Sequence, residues 1–176
     1  THIHADHISG LNELGKRTKC SKIMGEQSSS EVVDIHVKDN EKIKIENIEL
    51  ISIYTPGHTD CSYSFLMNDR VFTGDTLLIN STGRTDFQSG NSYDAYDSLF
   101  NKLLKLPEKI LVYPAHDYSG KKYSTVENEK NNNPRLQVNS AEEYAEIMDN
   151  LNLEDPEMID IAVPANIKGF TLDHIN

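Results

Sequence analysis

Apolar and polar positions change period several times along this chain, and each change predicts an element. Ile8 through Lys16 carries its apolar residues at helical spacing and reads as a short helix opening near His7. Val32 to Val37, and then Ile43 and Ile45, alternate with polar neighbours as half-buried strands do. Ile48 to Tyr54 is apolar on both faces, which suits a central strand, and Pro56-Gly57 forces the turn that ends it. Tyr63 to Met67 and Val71 to Thr73 predict a hairpin across Asn68-Asp69. Tyr96, Leu99, Phe100, Leu103 and Leu104 fall on one helical stripe, and Ile110 to Tyr113 is the next strand. Ser140 and Glu143 make a capping box ahead of Tyr144, Ile147, Met148 and Leu151, again at helical spacing. The tract Asn131 to Asn133 reads as a polar loop within one domain spanning 1–176.

The predicted strands end on residues that can bind metal. His58 closes the turn after the central strand, Asp75 follows the hairpin, and His116 follows the strand from Ile110. Ahead of them, THIHADH places His2, His4, Asp6 and His7 within six positions, too dense for ordinary core burial. Imidazole and carboxylate together suit zinc or iron, and rigid sheet edges with loops above them are a common way to hold such a site. His36 and His174 fall outside the pattern and read as solvated bystanders, while Cys61 and Cys20 read as small buried residues.

The order H-x-H-x-D-H, then a distant His, Asp and His, resembles the metallo-β-lactamase superfamily. Three further stretches narrow the likeness: GDTLLINSTGRTDFQSG from Gly74, YPAHDYSG from Tyr113, and the pair NNNPRL and IDIAVPAN. Together they resemble the persulfide dioxygenases, with a departure at Asn80, Ser81 and Thr82, in a loop that faces substrate on this reading. The resemblance implies an α/β fold, the αββα sandwich of the metallo-β-lactamase superfamily. Because the histidine motif stands directly at Thr1, further strands are expected to precede it.

In the persulfide dioxygenase branch the resemblance implies one ferrous iron, Fe(2+), held by His2, His58 and Asp75, with His4, Asp6, His7 and His116 around it. The implied reaction is oxidation of a low-molecular-weight thiol persulfide, such as glutathione persulfide, by O2 to sulfite and free thiol, as in sulfide detoxification. In the hydrolase branches, His2, His4 and His58 would hold one zinc, Asp6, His7 and His116 a second, and Asp75 would bridge them. That leaves a dinuclear zinc thioester hydrolase of the glyoxalase II type as the alternative. Arg84 is expected to grip an anionic thiol carrier, since guanidinium binds carboxylate bidentately, with an ion pair to Asp86 as the competing reading. Tyr118 is expected to line the pocket, and Asp117 to buttress a histidine.

Charge and cysteine usage remove other classes. A net charge of −11 argues against a nucleic-acid partner, which would demand clustered Lys and Arg. No apolar run reaches the roughly 18 residues of a membrane span. Two cysteines are too few for a disulfide framework, so a reducing cytoplasmic setting is expected. A sulfurtransferase (rhodanese) domain, fused or as a partner, and a homo-oligomer are compatible with this reading.

Overall fold

The computed structural model describes residues 1–117, 120–154 and 156–170; Tyr118 and His174 lie outside the described residues. After the histidine segment come α1 (Leu11–Thr18) and two short strands, β1 (Ile23–Gly25) and β2 (Ile35–Val37), which pair in parallel. The main sheet is built from β3 (Lys42–Ile45), β4 (Ile48–Tyr54), β5 (Tyr63–Leu66) and β6 (Arg70–Gly74). A small ribbon of β7 (Leu77–Leu78) and β8 (Ser81–Thr82) follows, and then α2 (Ser92–Asp97), which runs on through a π-turn over Ser98–Lys102. Beyond it come β9 (Leu111–Pro114), β10 (Ser124–Thr125), α3 (Val126–Asn132), α4 (Ala141–Asp149) and α5 (Ile159–Lys168).

The six-stranded sheet has the order β10-β9-β6-β5-β4-β3. Consecutive strands β3 to β6 are antiparallel, whereas β6 and β9 are parallel, with Gly74 opposite Pro114. Strands β4, β6 and β9 therefore all run the same way and end at one edge. That is the edge from which His58, Asp75 and His116 emerge.

Two cores flank this sheet. On one face Val71 and Val112 pack with Ala95, Leu99, Leu103, Tyr144 and Met148, so the stripe from Tyr96 to Leu104 and the helix opened by Ser140 are core, as their spacing predicts. On the other side Ile3, Met24 and Cys61 pack with Leu11 of α1 and with Val163 and Ile167 of α5. Gly25 of β1 lies so close over the Tyr63 ring that a Cβ there would meet it at 2.0 Å. The layers are helices, six-stranded sheet, small sheet and helices, an α/β sandwich.

Several elements depart from their sequence-based bounds for local reasons. The first helix starts at Leu11 rather than Ile8, because Ser9 uses its amide on Asn166 and its hydroxyl on the Leu11 amide. Only Ile35–Val37 of the stretch from Val32 is strand, since the Asp34 carboxylate turns back onto the Lys22 amide. The Asn131 to Asn133 tract is not a loop. Its first two residues end α3, and the buried Asn133 caps the turn that follows. Cys20 is exposed rather than buried, while Cys61 is buried. Helix α5 forms around Pro164, which is exposed, because Ala162 and Ala165 bury its other face and Gly169 closes it at a φ of 68°.

Candidate metal centre

The position of each ligand has a local cause in the sequence. After β4 the TPGH turn bends at Gly57, whose φ of +134° is glycine territory, and α2 packs so closely that a Cβ would meet the Ala95 backbone at 2.3 Å. The Ser98 hydroxyl donates to the Pro56 carbonyl at 2.7 Å and pins that turn to the helical layer. At the end of β6, the Ala115 amide donates to the Gly74 carbonyl at 2.9 Å, so Asp75 and His116 leave adjacent parallel strands side by side. The Thr1 carbonyl accepts from the Tyr63 amide at 2.9 Å, which lays the histidine segment across the same edge.

The result is a convergence of donor atoms. His2 Nε2 and His58 Nε2 lie 3.6 and 3.7 Å from Asp75 Oδ2, and ligand atoms of these three residues all lie within 4.8 Å of one another. The other ring nitrogen of each histidine is engaged elsewhere: His58 Nδ1 bonds the Arg84 carbonyl at 2.8 Å, and His2 Nδ1 bonds the Thr1 hydroxyl at 3.2 Å. A carbonyl only accepts, so His58 carries its proton on Nδ1 and turns a lone pair on Nε2 toward Asp75. The Asp75 carboxylate is likewise divided. Its Oδ1 takes a 2.7 Å bond from His116 Nδ1, leaving Oδ2 for the two imidazoles.

A second group stands beside the first. Ligand atoms of His4, Asp6 and His7 also lie within 4.8 Å of one another. His4 Nδ1 is buried without a hydrogen-bond partner, an arrangement that costs free energy unless something else binds it. His116 links the groups, with Nδ1 on Asp75 and Nε2 3.0 Å from Asp6 Oδ2. Held between two carboxylates, first of all by its bond to Asp75 and against its own burial, His116 is raised to about 9. Burial and the neighbouring imidazoles push His2 well below its ordinary value and His4 down to about 4, so both are neutral donors at pH 7. Imidazole nitrogens and a carboxylate oxygen converging in this way fit a divalent cation.

The centre opens into a cavity of about 480 Å³, bordered by Asp6, His58, Asp75 and His116 at its floor and by Ser81, Thr82, Arg84, Arg135 and Leu153 above. Arg84 lines it, as expected, but its guanidinium is committed. Nε and Nη2 bind both oxygens of Asp86 at 2.7 Å, Nη1 donates to the Glu154 carbonyl at 2.6 Å, and the group stacks over Phe87. This is the ion-pair reading of Arg84, and it pins the loop that carries the His58 bond.

Sequence reasoning missed three residues. Arg135, in NNNPRL, is half-buried on the cavity wall; burial lowers its guanidinium, it donates to the Thr82 carbonyl, and among the described residues no carboxylate pairs with it. Gly83 is needed because a Cβ there would meet the Asp75 carbonyl at 2.1 Å and the His58 ring at 3.0 Å. Asn166, in IDIAVPAN, bonds the histidine segment from α5. The motifs containing all three were visible, but a motif does not say what its side chains touch. Tyr118, expected in the pocket wall, lies outside the described residues. Asp117 accepts from the Lys121 amide at 2.6 Å.

Known proteins are similar to this chain in sequence and fold. The family model of the metallo-beta-lactamase superfamily matches residues 26–116. The mouse (Mus musculus) mitochondrial persulfide dioxygenase ETHE1 is 45% identical over 175 residues, covering 96% of this chain and 66% of the mouse protein. The crystal structure of ETHE1 from Myxococcus xanthus superposes with a TM-score of 0.92 at 44% identity, covering 94% of this chain and 73% of that one. A hydroxyacylglutathione hydrolase of Dictyostelium discoideum is more distant, 32% identical over 143 residues, covering 75% of this chain and 53% of the hydrolase. The chain thus spans just under two thirds of the length of the mouse relative. With the family model matched across β2 to β9 and a 44% identical relative superposing along nearly the whole described fold, the chain belongs to the metallo-β-lactamase superfamily and, within it, to the ETHE1 branch.

Proposed function

We propose that this chain carries the active site of a non-haem iron persulfide dioxygenase that acts on a small anionic thiol persulfide. The observation that supports it is the division of Asp75: with Oδ1 held by His116, only Oδ2 is left to complete a face with His2 and His58. Two imidazoles and one carboxylate oxygen on one face are the donor set of mononuclear ferrous oxygenases. Ferrous iron held by His2, His58 and Asp75 would supply the redox change that zinc lacks.

The protein's own residues supply binding and proton placement. Arg135 offers the cavity a cation that no carboxylate of the described residues neutralises, and it would receive a carboxylate of the thiol carrier. Arg84 acts one step back, fixing the loop whose carbonyl orients His58. His116, bonded to Asp75 through Nδ1 and 3.0 Å from Asp6 through Nε2, keeps one Asp75 oxygen occupied and would hold a proton at the floor of the cavity. In the overall balance, R-S-SH, O2 and water give R-SH and sulfite with two protons; the outer sulfur is oxidised, dioxygen is reduced, and the S–S bond breaks.

A second reading rests on the His4, Asp6 and His7 group, which would hold a second metal in a zinc thioester hydrolase. Loading the protein anaerobically with ferrous iron and following oxygen uptake and sulfite release decides between them. Glutathione, coenzyme A and cysteine persulfides serve as substrates, with lactoylglutathione as the thioester control. Oxygen consumption with persulfide but not with thiol is expected. Thioester cleavage with zinc and no oxygen uptake would overturn the dioxygenase reading.

A further inference from the structure

The histidine segment has no regular secondary structure, yet it must present its ligands within a fraction of an ångström. Among the described residues, the hydrogen bonds to its backbone from Ile3 to Ser9 come from side chains far away in sequence. The Ile3 amide bonds Cys61 Sγ at 3.5 Å, and the Ile3 carbonyl accepts from Gln88 Nε2 at 2.9 Å. Asn166 makes the remaining three. Its Nδ2 donates to the His4 carbonyl at 3.0 Å and to the His7 carbonyl at 2.9 Å, and its Oδ1 accepts from the Ser9 amide at 2.7 Å. One carboxamide thus uses both of its hydrogens and its oxygen on a single loop, closing the turn that brings the His4 and His7 ring centroids to 4.2 Å, tilted by 38°.

Both clamps are built into rigid surroundings. Asn166 sits in the last turns of α5, and its own carbonyl accepts from the Ser30 hydroxyl at 3.2 Å. Gln88 and Ser89 are successive non-glycine residues at φ of 49° and 58°, a conformation that persists only where neighbouring structure holds it. The Phe87–Gly90 turn is closed by a 2.7 Å bond from the Gly90 amide to the Phe87 carbonyl, and the left-handed pair aims Gln88 at Ile3. Neither side chain is a ligand in any arrangement above.

We propose that Asn166 and Gln88 are positioning residues of the metal centre, splinting the Ile3–Ser9 backbone so that His2, His4 and His7 are held in ligating positions before metal arrives. This rests on metal being held by the histidine segment together with His58 and Asp75 but not on which reaction follows. Without the splint, metal would have to order a bare loop on binding, and that ordering cost would appear directly as lost affinity.

The test measures the metal-free protein and metal binding separately from activity. Asn166→Asp keeps the shape and the bond from Ser9 but cannot donate to the two carbonyls, while Asn166→Leu removes all three bonds without adding charge. Ferrous iron, with zinc as a second probe, is titrated against a chelator of known affinity, and hydrogen exchange is followed in the metal-free chain. Both variants are expected to weaken metal binding about ten- to a hundredfold, the range typical of residues that orient ligands. Exchange should quicken across residues 3–9 and stay unchanged in β5 and β6. Gln88→Ala should do the same more weakly and, standing outside α5, carries the test if neither Asn166 variant folds. Unaltered metal affinity and unaltered exchange in that segment would overturn the proposal, as would a uniform loss of protection across the whole sheet, which marks a merely structural role.

Discussion

Replacing Gly83 by alanine should disable the metal centre through a single methyl group. The Cβ would lie 2.1 Å from the Asp75 carbonyl oxygen and 3.0 Å from the His58 ring. Carbon and oxygen rest at about 3.3–3.6 Å, so more than about 1 Å must open between two segments that both carry ligands. If the Asp75 backbone gives way, Oδ2 leaves its 3.6 and 3.7 Å distances to His2 and His58. If residue 83 moves instead, it drags the Arg84 carbonyl off His58 Nδ1, and the imidazole loses the 2.8 Å bond that sets its tautomer. Overpacking of this kind costs about 1–3 kcal/mol, which in a chain of this size lowers Tm by about 2–12 °C. The chemical cost is larger, since misplacing a reacting group by ~1 Å commonly loses about a hundredfold in rate. Thermal unfolding with and without metal, metal content after loading, and oxygen uptake measure the three effects. A variant with parental metal content and turnover would show that the loop yields freely and that Gly83 carries no such constraint.

Three further outcomes are expected. Arg135→Ala should raise KM about ten- to a hundredfold at unchanged metal content, while Arg84→Ala should lower stability and metal content instead; the opposite pattern would return the carrier contact to Arg84. Because the bond to Asp75 raises His116 to about 9, the metal-free protein should hold this stabilisation in full below about pH 6.5 and lose it as pH climbs through about 9. Urea unfolding across that window should flatten in His116→Gln, and superimposable curves would refute the assignment. Glu129 is fully buried and accepts from the Asn80 amide at 2.8 Å, from the Ser124 hydroxyl and from Asn133 Nδ2 at 2.9 Å, so Glu129→Ala should cost about 3 kcal/mol or more by urea denaturation, and a loss under about 1 kcal/mol would be inconsistent with that network.

The sequence by itself determined the strand from Ile48, the hairpin after it, the strand from Ile110 and the capped helix after Ser140, because short apolar runs bounded by turn residues suit strands and the Ser140 segment carries a helical period behind a capping box, although the strand from Ile48 lies beside the edge strand β3 rather than at the sheet's centre. It also determined that His58, Asp75 and His116 close strands, since turn residues and ligands follow apolar runs directly. Elements whose identity depends on distant partners were not legible. β1 carries no alternation, and α5 contains a proline that argues against helix until the burial of Ala162 and Ala165 is seen. Only the tertiary structure decided which candidate donor atoms converge. His2 and His4 are equally plausible from their spacing, but the parallel pairing of β6 with β9 sets His116 against Asp75 and leaves one carboxylate oxygen for His2 and His58. It likewise separated the two arginines, because a guanidinium's role is set by which acceptors the fold brings within reach: Asp86 and two carbonyls for Arg84, the Thr82 carbonyl and no carboxylate of the described residues for Arg135. Asn166 makes the same point most strongly, as hydrogen bonds across 157 to 162 positions exist only once the chain has folded.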